Sequence, residues 1–179
     1  MHGCRGSIFL IGMMGAGKTT IGRLLAQAVG FEFIDCDREI EARAGASVAT
    51  IFAIEGEEGF RRREAALLDE LTQRRGIVLA TGGGAVLRAE NRRVLRERGL
   101  VVHLHATVEE IVRRTRRDTS RPLLQTEDPR ARIAQLLHER DSLYRQTAHL
   151  TFQSGIVSPK KLVKRILAHP QVNAVLGSS

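Results

Sequence analysis

The chain has no tryptophan, a single tyrosine (Tyr144) and six phenylalanines in 179 residues. These few aromatics do not interleave with the basic runs, so there is little for nucleobases to stack on, and nucleic acid is not an expected partner. Cysteine is scarcer still. Cys4 and Cys36 stand far apart without metal-type spacing, which excludes a disulfide framework or a cysteine-held zinc site and fits a reducing compartment. No apolar run approaches the roughly 20 residues of a membrane span, and the first residues, "MHGCRGSIFLIGMM", show no cleavage pattern. The expectation is a cytoplasmic protein with neither leader nor membrane contact. Repeats and low-complexity linkers are also missing, so residues 1–179 read as one domain.

What is present is enough for a core: 42% of the residues are hydrophobic. Twenty-eight Lys and Arg against 20 Asp and Glu give a formal charge of +8, which steers anions toward the surface and points to a phosphorylated small molecule. Short aliphatic runs alternate with amphipathic stretches: "SIFLI", "KTTIGRLLAQAV", "FEFID", "REIEARAG", then "IVLAT", "LVVHLHA" and "HLTFQ". That alternation predicts an α/β fold, a parallel sheet with helices on both faces. Thr107 with Glu110 forms a candidate capping box, Asp128-Pro129 and Ser158-Pro159 mark helix starts, and Gly76 and Gly99 mark two helix ends. Two stretches look inserted: a long helical region, 47–71, and the polar segment 116–130, broken at Pro122 and Pro129. The latter has little to bury and is expected to be a mobile flap.

"GMMGAGKTT" follows the first strand. Gly12, Gly17, Lys18 and Thr19 match the spacing G-x-x-x-x-G-K-[ST], a loop whose backbone N–H groups wrap phosphate at a helix N-terminus. Lys18 would reach the outer phosphates and Thr19 would ligate Mg²⁺, so ATP with Mg²⁺ is the expected nucleotide. No strand ends in the paired Asp-Glu of motor ATPases, and no Asn-Lys-x-Asp stretch reads guanine, which disfavours motors and GTPases.

In "FIDCDREI" the strand ends in carboxylates at i and i+2. Extended chain would send Asp35 and Asp37 to one side, facing the crevice beside the phosphate loop, where one could hold Mg²⁺ through water and the other accept from a substrate hydroxyl. The plainer alternative makes Asp35 a turn residue and Asp37 a helix cap. "ATGGGAV" closes the third strand in Gly82, Gly83 and Gly84, a run that permits close approach of backbone to ligand, or simply a flexible turn. His103 and His105 in "HLH" share one side of a strand but lack a third ligand, so they read as ordinary strand residues. Cys36 reads as a packed small hydrophobe.

The stretches "GMMGAGKTTIGRLLA", "FIDCDREIE", "IFAIEGEEGFRRRE", "LATGGGAV", "RPLL" and "ERDSLYRQTA" together resemble the shikimate kinase family. The resemblance implies a nucleoside monophosphate kinase-like fold, with a five-stranded parallel sheet in order 2-3-1-4-5, a substrate-binding insert about 37–71 and a lid about 116–130. It implies phosphoryl transfer from ATP to the 3-hydroxyl of shikimate, in aromatic amino-acid biosynthesis, by a monomer. Carried over, Gly15, Ala16, Gly17, Lys18, Thr19 and Thr20 hold the nucleotide. Thr19 and Asp35 serve the metal, and Arg114 lies on the adenine side. Arg121 reaches from the lid onto the phosphates. Asp37 binds the acceptor hydroxyls and acts as base, and Arg61, the three glycines 82–84 and Arg140 complete the acceptor site. Arg62 and Arg63 are expected in solvent. Ser142 replaces the usual proline of the family, so a looser turn after Arg140 is expected. The runner-up readings are a kinase of another hydroxylated carboxylate, such as gluconate, and a nucleotide-binding module without turnover.

Overall fold

The computed structural model describes residues 6–177; Cys4 lies outside them. Five strands, β1 (Ile8–Ile11), β2 (Glu32–Asp35), β3 (Ile77–Ala80), β4 (Leu100–His105) and β5 (Leu150–Gln153), form one sheet in the order β2-β3-β1-β4-β5. Every neighbouring pair is parallel. The three central strands are buried on both faces and correspondingly aliphatic, "IFLI", "IVLA" and "LVVHLH". The family topology expected from the sequence is therefore present.

Helices α1 (Lys18–Val29), α2 (Cys36–Ala44), α3 (Val48–Leu71), α4 (Ala89–Arg98), α5 (Val108–Thr115), α6 (Pro129–Thr147), α7 (Pro159–Leu167) and α8 (Pro170–Leu176) cover the sheet. Their starts follow local chemistry. Asp128 and Ser158 each accept a backbone N–H from the first turn and precede a proline, as read from the sequence. Thr107 caps α5 through the Glu110 N–H, but the capping box is half formed: the Glu110 carboxylate turns instead toward Gly155, leaving Oε2 buried without a partner.

Three expectations need correction, and the helix stop at Gly99 holds with a different geometry. Helix α2 begins directly at Cys36, because Asp35 itself is the cap and accepts from the Arg38 N–H; Asp37 is thus a first-turn helical residue, not part of an extended strand. Gly76 lies in the loop beyond the end of α3 at Leu71 rather than capping it. Gly99 does follow α4, but in extended conformation (φ −164°), and its smallness serves packing against the Phe9 ring. The segment 116–130 contains a 3-10 turn, Pro122–Leu124, whose Leu124 is buried in the core, so it has more to bury than its polarity implied. Helix α3 bends at Gly56 (φ 71°, ψ 177°), which splits the long helical insert into two arms.

Gly99 gives a direct check on this packing. An Ala Cβ there would lie 2.5 Å from a ring carbon of the fully buried Phe9. Gly99→Ala is expected to lower unfolding stability by about 1–2 kcal/mol, the overpacking cost less a smaller gain from restricting the unfolded chain. An unchanged or raised urea midpoint would contradict the close fit.

Candidate active site

The carboxyl ends of β1, β2 and β3 open into one cavity of about 540 Å³. One wall is the loop between β1 and α1. Gly12, Gly15 and Gly17 all have positive φ (148°, 76° and 95°), and a Cβ at Gly12 would meet the Leu104 carbonyl. This turns the loop around the start of α1, whose first residues are Lys18, Thr19 and Thr20. Gly15, Gly17, Lys18, Thr19 and Thr20 line the cavity. Ala16 does not: it is buried, and its N–H is committed to the Met13 carbonyl at 3.1 Å.

Lys18 is 8% exposed and donates from Nζ to the carbonyls of Gly12 (2.7 Å) and Met13 (2.8 Å). Burial, helped by the Arg121 charge, lowers its pKa to about 7. Anionic phosphate in the loop would reverse that push. The Thr19 hydroxyl donates to Asp35 Oδ2 at 2.8 Å, so one hydroxyl and one carboxylate sit together at the loop's edge. Arg114 donates to the Gly15 carbonyl at 2.8 Å, and Arg121, held by Asp118 at 2.7 Å, lines the same cavity.

The deeper half of the cavity holds Asp37, Arg61, Gly82, Gly83, Gly84 and Arg140. Arg61 is 6% and Arg140 2% exposed. Arg62 is in solvent, and Arg63 is partly exposed and paired with Glu55 across the Gly56 bend, so Arg61 is the arginine of that run that points inward. The triple glycine is needed here: a Cβ on Gly84 would overlap the Arg61 guanidinium, and one on Gly82 would crowd Asp37 and Glu64. Arg140 and Ser142 both lie within α6, so no loosened turn follows Arg140.

Glu64 was not anticipated. Fully buried, it accepts from Arg61 Nη1 at 2.9 Å. The signal was available, because Glu64 falls on the same buried helix face as Phe60, Leu67, Leu68 and Leu71, where a carboxylate is out of place. Burial raises the pKa of both Asp37 and Glu64, with the Asp35 charge adding to the first and Arg61 opposing the rise in the second. Burial likewise raises the Cys36 thiol, consistent with a packed, unreactive side chain.

Polar satisfaction is incomplete in this half of the cavity. Asp37 Oδ1, Glu64 Oε2, Arg61 Nε and Arg140 Nε and Nη1 are buried without a hydrogen-bond partner. Orphaned acceptors and donors gathered around one space are what a ligand with hydroxyls and a carboxylate would satisfy.

A phosphate-wrapping loop sharing a crevice with a buried acid and two buried guanidiniums defines the class: a P-loop kinase of a small hydroxylated acid. A family model described as "Shikimate kinase" matches residues 14–170, and the chain belongs to the shikimate kinase family, whose members are ATP-dependent kinases. It is 60% identical over 160 residues to a shikimate kinase of Bordetella avium, covering 89% of this chain and 77% of that one. A shikimate kinase of Nitrosospira multiformis is 54% identical over 96% of this chain and 88% of its own length. Among solved structures, the shikimate kinase from Acinetobacter baumannii in complex with shikimate superposes with a TM-score of 0.90 at 47% identity, covering 98% of this chain and 95% of that one.

Behind the cavity, His103 is buried and stacks on Tyr144 (ring centroids 5.0 Å apart, 21° between planes). No group of three or more His, Cys, Asp or Glu that could hold a metal occurs among the described residues. Burial, with a smaller push from His105, lowers the His103 pKa to about 4. Unfolded histidine titrates near 6.5, so between these values the unfolded chain binds more protons and folding is opposed as the pH falls. Relative to His103→Phe, wild-type stability should drop by up to about 3 kcal/mol between pH 7 and pH 4. Denaturation curves at both pH values check this; a pH-independent difference would show that His103 is not buried in the neutral form.

Proposed function

We propose that this chain transfers the γ-phosphoryl group of ATP to the 3-hydroxyl of shikimate with the help of Mg²⁺, working as a monomer in the cytoplasm. The observation that carries the acceptor reading is the set of unpartnered buried atoms on Asp37, Glu64, Arg61 and Arg140. Shikimate offers hydroxyls for the acids and a carboxylate for the guanidiniums, whose planar donor forks match it. Nucleotide and acceptor sites are both furnished by one chain, so no second copy is required. Among the described residues no helix is long and apolar enough to cross a membrane.

In this reading Gly15, Gly17 and Lys18 bind the phosphates. Thr20 and Arg114 border them, Arg114 toward the adenine. Asp37 positions the attacking hydroxyl and takes its proton; burial raises its pKa and so makes it a stronger base. Lys18 and Arg121 place positive charge where negative charge builds on the transferred group. The residues present fit Mg²⁺: the Thr19 hydroxyl and the Asp35 carboxylate are already together, and an ion so sparsely held by protein is one shared with phosphate. When bound, that ion neutralises the bridging phosphate oxygens. The segment 116–130 acts as the lid that excludes water, and 37–71 as the acceptor-binding insert.

A coupled ATP assay tests this reading with shikimate and gluconate as acceptors. Turnover is expected on shikimate, and only in the absence of excess chelator; preference for gluconate, or full activity in chelator, would overturn the acceptor or the metal. Arg121→Ala is expected to lower kcat by about tenfold or more while changing the affinity for shikimate little, since its charge acts chiefly as the transition state forms. An unchanged kcat would remove Arg121 from the mechanism.

A further inference from the structure

Tyr144 lies one helical turn beyond Arg140 on α6, on the same face, and is fully buried. Its hydroxyl donates to the Gly83 carbonyl oxygen at 2.5 Å. Burial pushes the phenol up to about 12, so it remains a proton donor throughout the working range of the enzyme. His103 of β4, opposite Ile11 in the register with β1, stacks on the ring and holds it in place.

Gly83 sits between the phosphate loop and Arg140. A Cβ there would lie 3.2 Å from the Met14 backbone nitrogen and 3.5 Å from Arg140 Nη1. The peptide between Gly83 and Gly84 is planar and trans, so a carbonyl drawn toward Tyr144 turns the Gly84 N–H to the opposite side. Neither Gly83 nor Gly84 donates its N–H in a backbone hydrogen bond among the described residues, and both line the cavity. Three glycines in succession would otherwise leave this peptide free to rotate.

We infer that Tyr144 is a positioning residue for acceptor binding: its hydroxyl fixes the Gly83–Gly84 peptide beside Arg140, presenting the Gly84 N–H and the guanidinium as a preformed receptor for the oxygens of the acceptor. The inference rests on the reading that shikimate occupies this cavity. It assigns the selection of the acceptor partly to a residue that does not touch it, through loop entropy removed before binding.

Tyr144→Phe keeps the ring on His103 and removes only the hydroxyl. Steady-state kinetics are expected to show KM for shikimate raised about fivefold or more, the loss of one buried hydrogen bond, with KM for ATP within about twofold of wild type. A merely structural role would raise both constants together or neither, and either result overturns the inference. A wild-type enzyme that fails to phosphorylate shikimate would overturn the acceptor assignment instead, so the two failures are distinguishable. If the variant does not fold, wild-type protein grown with 3-fluorotyrosine carries the test, because Tyr144 is the sole tyrosine and yields one fluorine resonance. Saturating shikimate is expected to shift that line, and ADP alone to leave it in place. A line unmoved by shikimate overturns the inference.

Discussion

Everything in the site depends on charge held out of water without full compensation. Lys18, Arg61, Glu64 and Arg140 are all buried polar groups; Arg61 pairs with buried Glu64 at 2.9 Å and, more loosely, with half-exposed Glu57 at 3.4 Å. Desolvating an ion costs several kcal/mol even after relaxation, and the pairs around Arg61 do not recover it when donors and acceptors remain unmatched. In the reading proposed above, the cost is tolerated because the groups form a receptor whose missing partners arrive with the ligands. Lys18 illustrates the principle: it donates to two carbonyls of its own loop, and its proton is held weakly.

The scaffold supplies the rigidity this arrangement needs. Lys18 and Thr19 open a helix launched from β1, the most buried strand with its two parallel neighbours, and Asp35 ends β2 while capping α2. Arg61 and Glu64 stand on α3, one turn apart, against the glycine run that ends β3. Each of these side chains is therefore fixed by an element whose other face lies in the core. The exception is Arg121, placed by a 3-10 turn and an ion pair to Asp118. In the proposed reading, that placement suits a group required only when the crevice closes.

Much of this was legible in the sequence, and the failures have physical causes. The phosphate loop and α1 could be bounded because their glycines, lysine and threonine each answer to a local constraint, and the structure starts α1 at Lys18 as read. The Asp35–Asp37 spacing was misjudged because strand periodicity was extended past the cap, where the side chain of Asp35 had already begun a helix. Ala16 was credited with the role of its neighbours, although a loop's N–H groups need not all point inward. Glu64 went unread beside Arg62 and Arg63, the members of the charged run expected in solvent and found exposed. The Gly83–Tyr144–His103 contact joins three elements far apart in the chain, and no local pattern carries such a meeting.

The central claim is that the buried guanidiniums of Arg61 and Arg140 exist to receive a carboxylate. The most direct measurement is calorimetric binding of shikimate and of its carboxamide to the wild-type chain. Charge-assisted, two-pronged contacts are roughly twice as strong as neutral ones, and a neutral amide would leave at least one buried cation uncompensated. Shikimate is expected to bind about a hundredfold more tightly than the carboxamide, corresponding to about 2.7 kcal/mol. Equal affinities would contradict the account, because the two arginines would then be holding the fold rather than reading the acceptor.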